Sequence, residues 1–373
     1  MVQAKIRSLQ AYGFRFPLAN PVITSFGRML DRPAVFVRLE DEDGILGWGE
    51  AWCNFPSVGA EHRVRLINEM LAPAIVGQDP GEPGTLLKRL SGMTAVLAIQ
   101  CGEPGPIAQA IAGIDIAHWD LASRRNGQPL WRALGGTTAL LPVYASGINP
   151  VGSGETAARA FAAGHRAFKL KVGFDPDRDL QNLRDIRREV GSCFLAADAN
   201  QGWSPEEALR RVPALGEFEL GWLEEPLRAD RPWSEWAALR QAGAPPLAGG
   251  ENIAGEAAFE AAIEAGSLEV FQPDVAKWGG VTLCAGVARA ALAAGRRYCP
   301  HYLGGGIGLL ASAHLLAGIG GDGMLEIDIN PNALRDECCG PVASMSDGTV
   351  TLGEEPGLGV EPDLAAWAKW RTA

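Results

Sequence analysis

Phe168-Lys-Leu-Lys-Val172 is the stretch on which the fold turns. Five residues that alternate apolar and cationic side chains read as a strand, because successive side chains on a strand point to opposite faces. Phe168, Leu170 and Val172 then face a helix layer, and Lys169 and Lys171 face the other way together. Lysine is scarce: Lys5, Lys88, Lys169, Lys171, Lys277 and Lys369 are all there are, and arginine carries most of the positive charge. Two of six lysines on one short apolar strand mark chemistry rather than a solvated face.

From that strand a charged residue recurs every 23 to 29 positions: Asp198, Glu224, Glu251, Asp274, His301 and Glu326. Each ends or follows a short apolar run: Phe194-Leu-Ala-Ala197, Gly221-Trp-Leu223, Pro246-Leu-Ala248, Val270-Phe271, Arg297-Tyr-Cys299 and Met324-Leu325. Between the runs lie stretches of helix length. Leu180, Leu183, Ile186 and Val190 keep helical spacing, and Ser204-Pro-Glu-Glu207 is a capping box with Pro at the first helical position. The Ala/Leu-rich stretches 254–266, 280–295 and 306–320 end at glycine, a helix stop. Strand, polar tip and helix at this period build a (β/α) barrel, whose active site is collected from the C-terminal ends of many strands.

The first hundred residues read differently. Arg32-Pro-Ala-Val-Phe-Val-Arg-Leu-Glu40 and Ile45-Leu-Gly-Trp-Gly-Glu50 are two strands joined by the turn Asp41-Glu-Asp-Gly44. Residues 60–71 repeat apolar side chains at helical spacing. Pro106 to Gly135 reads as one long helical stretch with Ile107, Ile111, Ile114 and Ala117 on a face, and His118 as a packed helix histidine. This is a separate α+β unit, and a tail after Gly353–Gly359 is expected to fold back on it.

At 373 residues and 47% hydrophobic, the chain has the composition of a globular protein long enough for a barrel and a smaller domain. With 44 acidic against 33 basic residues and no basic run, neither nucleic acid nor an anionic membrane surface is an expected partner. The N-terminus lacks a signal-peptide core, and no apolar stretch reaches the roughly 18 residues of a membrane span. Seven scattered cysteines without metal-ligand spacing read as reduced thiols of a cytoplasmic protein.

Two ammonium groups on one face disfavour each other's charge, which would lower a lysine pKa and make one a base. Asp198, Glu224 and Glu251 converge on one mouth, where three carboxylates repel unless a cation sits among them. Oxygen-only ligands, few in number, favour Mg²⁺. Asn200 faces the same way and can support ligand or substrate, whereas Glu225 should point elsewhere by alternation. Asp274 and His301 end neighbouring strands, so the carboxylate can fix the imidazole tautomer and raise its basicity. Glu326 and Asp328 share a face, with Glu326 the better candidate to hydrogen-bond a developing oxyanion. A metal, a lysine base and a His–Asp dyad suit abstraction of a proton α to a carboxylate, giving an enediolate whose second negative charge the metal and nearby donors offset. Two bases on opposite faces allow inversion, and one base plus an acid allows β-elimination of water.

With Lys169-Leu-Lys171, Asp198-Ala-Asn200, Glu224-Glu-Pro226, Gly250-Glu-Asn252, Gln272-Pro-Asp274, Gly279-Gly280 and Pro300-His301 in view, the chain resembles the enolase superfamily, and within it the mandelate racemase subgroup. Trp48-Gly-Glu50, Ile114-Asp-Ile-Ala-His-Trp-Asp120 and Pro356-Gly-Leu-Gly359 extend the resemblance over nearly the whole chain. It implies an α/β protein: a modified TIM barrel, (β/α)7β, over residues 131–353, capped by an α+β domain of residues 1–130 with 354–373. It also implies one Mg²⁺ per subunit on Asp198, Glu224 and Glu251. Lys171 would be one base with Lys169 assisting, and His301–Asp274 the other, with Glu326 after them. The muconate-lactonising and dipeptide-epimerase branch has a second lysine where this chain has Asp274, so that branch is disfavoured, and Lys277 three residues later is not expected to be the base. Substrate-covering loops fall near Phe16–Gly27 and Trp52–Gly59. Phe16, Leu18, Ile23, Phe26, Trp52 and Phe55 make that lid partly apolar, with Thr24, Ser25 and Asn54 available for hydroxyls.

The expected partner is a small carboxylate substrate, and a homo-oligomer is expected. Racemisation or epimerisation of a 2-hydroxy acid is the first reading, with acid-sugar dehydration and lactone cycloisomerisation as alternatives using the same residues. A barrel that only binds a carboxylate is disfavoured because no metal ligand or base is missing. A metal-dependent hydrolase barrel makes poor use of paired lysines.

Overall fold

The computed structural model describes residues 4–24 and 27–373. The chain opens with three antiparallel strands in the order β1-β2-β3: β1 (Ile6–Thr24), β2 (Gly27–Asp41) and β3 (Leu46–Ala51). The β2–β3 turn forms because Asp41 Oδ1 accepts the backbone N–H groups of Asp43 and Ile45 at 3.0 and 2.9 Å. Three helices follow: α1 (Gly59–Arg65), which runs into a π-helical turn through Leu71, then α2 (Thr85–Gln100) and α3 (Pro104–Arg125). The long helical stretch expected to reach Gly135 stops at Arg125. Gly127 takes φ +65°, and Pro129 precedes only a four-residue α4 (Leu130–Ala133).

Helix α3 lies flat on the sheet because the facing strand has no side chains there. A Cβ on Gly47 would sit 2.1 Å from Ala117 O, and one on Gly49 2.0 Å from Gly113 O. The chain end returns to this unit: Thr372 donates its N–H to Gly13 O at 2.8 Å, and Trp367 stacks on Phe36 at 5.4 Å.

The second unit alternates β4 (Leu140–Ile148), α5 (Ser153–Ala162), β5 (Ala167–Lys171), α6 (Pro176–Val190), β6 (Phe194–Asp198), α7 (Pro205–Leu215), β7 (Leu223–Glu224) and α8 (Trp233–Gln241). It continues with β8 (Leu247–Gly249), α9 (Glu256–Ala265), β9 (Val270–Phe271), α10 (Gly280–Ala293), β10 (Arg297–Tyr298), α11 (Gly306–Ile319) and β11 (Leu325–Asp328). Eight parallel strands with seven helices between them make a (β/α)7β barrel, with the sheet running β11-β4-β5-β6-β7-β8-β9-β10. The seam between β10 and β11 is bridged by Met324 N–H to Cys299 Sγ at 3.4 Å and Tyr302 N–H to Glu326 Oε2 at 3.1 Å. After α12 (Ala333–Asp336), β12 (Thr349–Thr351) pairs antiparallel with the start of β4.

Alternation sorts the side chains as the sequence requires. Phe168, Leu170 and Val172 pack with Leu183 and Ile186 between sheet and helices, each burial of this kind contributing about 2 kcal/mol. Tyr144, Ala196, Trp222, Ala248 and Cys299 fill the barrel axis. That apolar plug leaves the charged strand tips above it.

Buried carboxylates dock the first unit on the barrel. Glu50 accepts the N–H groups of Gly305 and Gly308 at the start of α11, at 2.6 and 2.9 Å. Asp115 accepts the Thr282 N–H and hydroxyl at the start of α10, at 2.9 and 2.7 Å, while Asp120 binds the first unit to the returning chain end, accepting the N–H groups of Trp48 and Leu358 at 2.8 and 2.6 Å. Anions at helix N-termini are favoured there by unpaired N–H groups. These contacts tie Trp48-Gly-Glu50, Asp115, Asp120 and the 356–359 segment to one another and to the barrel.

Candidate active site

The parallel register sets Lys171 beside Asp198, and Asp198 beside Glu224. Lys171 Nζ donates to Asp198 Oδ2 at 2.6 Å. Lys169, 1% exposed, donates to both oxygens of Glu224 at 2.7 and 2.8 Å and lies 2.8 Å from Glu326 Oε1. Asn200 N–H closes on Asp198 Oδ1 at 2.8 Å, and its amide reaches Asp198 Oδ2 at 3.3 Å. His301 Nδ1 meets Asp274 Oδ2 at 2.7 Å, and Nε2 lies 2.9 Å from Glu251 Oε2 and 3.9 Å from Glu326 Oε2. Asp274 is itself fixed by the N–H groups of Ala276 and Lys277 at 2.9 and 3.0 Å. Lys169, Lys171, Asp198, Asn200, Glu224, Glu251, Asp274, His301 and Glu326 thus form one connected network at the barrel mouth.

A cavity of about 280 Å³ opens onto this network. Lys171, Asn200, Glu251 and His301 form its chemical wall, and Trp52, Asn54 and Phe55 cover it from the first unit. The stretch expected as a covering loop near Phe16 is instead continuous β1, with Val22 and Met29 of the β1–β2 ribbon reaching the cavity. Ser25 and Phe26 lie outside the described residues, as do the side chains of Ile23 and Thr24.

Two expectations are corrected. Burial and Lys169 both work against the charge of Lys171, but Asp198 outweighs them, and the ammonium is held above its usual pKa rather than below it. Lys169 is likewise raised: burial opposes its charge, and Glu224 and Glu326 overcome that. Glu225 does not point away. Its φ of +37° breaks the strand alternation and turns its buried side chain back toward the site, where Oε2 accepts the Asn252 amide at 2.7 Å.

Burial acts first on the other groups too. It pushes Glu224 up to about 7, with Asp198 adding to the effect and Lys169 opposing it. It opposes the charge of Glu326, which Lys169 and His301 nevertheless bring down to about 2. His301 stands raised because Glu251, Glu326 and Asp274 outweigh its burial. Between the two acids on β11, Glu326 belongs to the lysine–histidine network, while Asp328 pairs with Arg32 of β2 and lies 3.6 Å from Arg335.

Sequence reasoning gave no site role to Ser146, Trp222, Gln272 or Arg32, although Gln272 stands in the Gln272-Pro-Asp274 motif. Ser146 donates to Glu326 at 2.5 Å, and Trp222 and Gln272 donate to Glu224 at 3.2 and 2.7 Å. Ser146, Trp222 and Gln272 stand one strand alternation below the strand tips, so the period-two pattern could have found them. Arg32 had no such signal, because its partner lies 296 residues away.

Asp198, Glu224 and Glu251 could hold a divalent ion. They offer oxygen donors only, and the buried Oε1 of Glu225 beside them has no hydrogen-bond partner. In this structure each of the three acids is turned to Lys171, Lys169 or His301, and among the described residues no three acids are gathered as a ligand set, so they would have to turn from those cations to take up an ion.

Residues 9–135 match the family model for the mandelate racemase / muconate lactonizing enzyme N-terminal domain, and residues 153–366 that for the enolase C-terminal domain-like family. The chain therefore belongs to the mandelate racemase/muconate lactonizing enzyme family of the enolase superfamily. It is 32% identical to the 3,6-anhydro-alpha-L-galactonate cycloisomerase of Streptomyces coelicolor, over 94% of this chain and 95% of that one. It is 55% identical to a mandelate racemase/muconate lactonizing enzyme from Bordetella bronchiseptica RB50 of known crystal structure, with a TM-score of 0.93 and coverage of 98% and 99%. An enolase from Bradyrhizobium, solved with magnesium and mandelic acid, is 27% identical with a TM-score of 0.84 over the full length of both chains. Racemases and sugar-acid dehydratases also occur among the relatives. The protein is an enzyme of this superfamily, whose members act with a divalent metal. Among the described residues, no helix is long and apolar enough to cross a membrane.

Proposed function

We propose that this enzyme abstracts the α-proton of a hydroxylated carboxylate, with Lys171 and His301 as the proton-transfer groups. One observation carries the reading: Lys171 and His301 line one cavity above three carboxylates, from strands three steps apart by the shorter way round a ring of eight. They approach a substrate from nearly opposite sides. Asp274 holds His301 Nδ1, leaving Nε2 to give or take the proton in the cavity. Protonated at Nε2, His301 is the acid; neutral there, it is the base. Lys171 takes a proton only when Asp198 Oδ2, its 2.6 Å partner, is drawn off it. Lys169, beneath the cavity, holds Glu224 and Glu326 in place. Asp198, Glu224 and Glu251 would hold one Mg²⁺ per subunit, which when bound would supply positive charge beside the substrate carboxylate.

Racemisation needs only these two groups. The cavity wall favours a second outcome. Asn54, Asn149, Asn200, Gln201, Asn252 and Asn330 line it with neutral amides suited to several hydroxyls. A polyhydroxy acid or its lactone, with His301 protonating a departing β-oxygen, fits that wall better than a simple 2-hydroxy acid. The relatives that act on galactonate-type and galactarolactone-type compounds support this ranking. Residues 1–130 with 354–373 act as the cap and 131–353 as the catalytic barrel, in a cytoplasmic homo-oligomer.

The test is proton NMR in D₂O with Mg²⁺ over a panel of hydroxy acids, acid sugars and their lactones. Loss of the α-proton signal, stopped by EDTA and absent in Lys171→Ala, is expected. Absence of exchange across the panel with the metal-loaded enzyme would refute enolisation.

A further inference from the structure

We propose that the active cavity has a second compartment, entered past Asn149, that takes the distal hydroxylated end of the substrate, and that Asn149 determines specificity for such chains. This rests on the reading of Lys171 and His301 as the proton-transfer pair. Seven of the eight barrel strands deliver a charged residue at or near their C-terminal ends, but β4 ends at Ile148 and is followed by Asn149, which is neutral. Asn149 lines the cavity and is partly buried, yet among the described residues its amide forms no side-chain hydrogen bond. Its neighbours in the wall are engaged. Asn330 donates to Gly147 O at 2.9 Å and Asp328 Oδ1 at 2.7 Å, Asn252 to Glu225 at 2.7 Å, and Asn54 to Leu303 O at 2.7 Å. An amide with donor and acceptor both open matches a hydroxyl, which needs one of each.

The space beyond is a separate observation. Gly147, Asn149 and Asn330 also wall a second cavity of about 440 Å³, which continues toward Thr156, Arg159 and His165. His165 is 6% exposed and its Nδ1 has no partner, so the far wall offers another polar atom. The topology explains the opening. The strand β11 is followed by the four-residue α12, where the units on either side of β5 carry helices of ten and fifteen residues, and the seam between β11 and β4 is less covered. At Gly147 the wall shared by the two cavities is tight, since a Cβ there would lie 2.3 Å from Asp328 Oδ1 and 2.4 Å from Asn330 Nδ2. The cations at its entrance are already matched, Arg32 by Asp328 and Lys171 by Asp198, while Arg159 at the exposed far rim donates to the Thr156 hydroxyl at 3.0 Å. The part of the compartment beside Asn149 therefore selects hydroxyls.

The experiment is titration calorimetry with Mg²⁺ on the Lys171→Ala protein, which halts turnover. The probes are the six-carbon aldonates in their several configurations, with lactate as the short 2-hydroxy acid. At least one aldonate is expected to bind about tenfold tighter than lactate. Asn149→Leu, which keeps the branched shape and removes the amide, should erase about tenfold of that preference and leave lactate unchanged. Ala163→Phe, which fills the second cavity from its exposed rim, should weaken the aldonate alone. Aldonates binding no tighter than lactate, or a preference unmoved by both substitutions, would overturn the compartment. Tight aldonate binding without α-proton exchange in the wild-type enzyme would instead sink the enolisation reading and leave the compartment standing.

Discussion

Removing the Glu50 carboxylate should loosen the cap from the barrel, and the size of the effect follows from its two contacts. Glu50 is 2% exposed, and its oxygens accept the N–H groups of Gly305 and Gly308 at 2.6 and 2.9 Å. Glu50→Ala orphans both donors in a dry seam, at about 1–3 kcal/mol each. Part of that is returned, because burial pushes the Glu50 carboxyl up to about 7 against the pull of the Gly308 and Gly305 N–H groups, and the variant no longer buries a charge. The expected net loss at pH 8 is about 2–4 kcal/mol. Glu50→Gln keeps one acceptor but turns an NH₂ toward the other donor, so about half of that loss is expected. Urea unfolding followed by tryptophan fluorescence measures the loss. Amide exchange at Gly305 and Gly308 localises it, since those two N–H groups should lose protection first. Wild-type stability within about 0.5 kcal/mol, with unchanged exchange at both glycines, would refute the account of the seam.

Three further outcomes follow. Gly49→Ala places a Cβ 2.0 Å from Gly113 O and 2.7 Å from Ala117 N, so it should cost about 3 kcal/mol or more; a urea midpoint near wild type would contradict the close approach of α3. Asp274→Asn should slow proton transfer on the His301 side by about a hundredfold while exchange driven by Lys171 persists; equal loss for both enantiomers of a substrate would sink the assignment of opposite faces. His314 is buried, with its pKa pushed down to about 3 by burial, and its Nδ1 accepts the Trp131 N–H at 3.1 Å. Below the ordinary histidine pKa the unfolded chain binds a proton that the folded one refuses, so stability falls as the pH drops. His314→Asn puts an oxygen where Nδ1 was and cannot protonate. The wild type should therefore lose about 1.4 kcal/mol per pH unit relative to this variant between roughly pH 6 and 4, and parallel pH profiles would contradict it.

Most of the barrel and of its polar tips could be read from the sequence because both depend on local rules. A strand forces Lys169 and Lys171 to one side, and a parallel register places the tips of consecutive strands side by side, so Lys171, Asp198 and Glu224 meet without further information. The same rule explains its own failure at Glu225. Alternation assumes extended backbone, and a φ of +37° immediately after β7 is set by tertiary packing against Asn252 and Ala248, which no spacing encodes. The lysine pKa failed for a related reason. Counting charges along one strand finds Lys169 beside Lys171, but the carboxylates that decide the balance arrive from β6, β7 and β11.

The cap shows the limit most clearly. Glycines 47 and 49 look like loose hairpin residues in sequence, yet they are the two positions where α3 touches backbone. Arg32 looks like the start of a strand, yet it carries the cap's ion pair to Asp328, two residues from Glu326. A residue whose role depends on a partner 296 positions away leaves no local trace. The charged tips of the strands are therefore written in periodic positions, while the residues that join cap to barrel, such as Arg32, are written in aperiodic ones. Substitutions at the first class should remove proton transfer for every substrate. Those at the second should loosen the cap from the barrel and leave the proton-transfer groups in place.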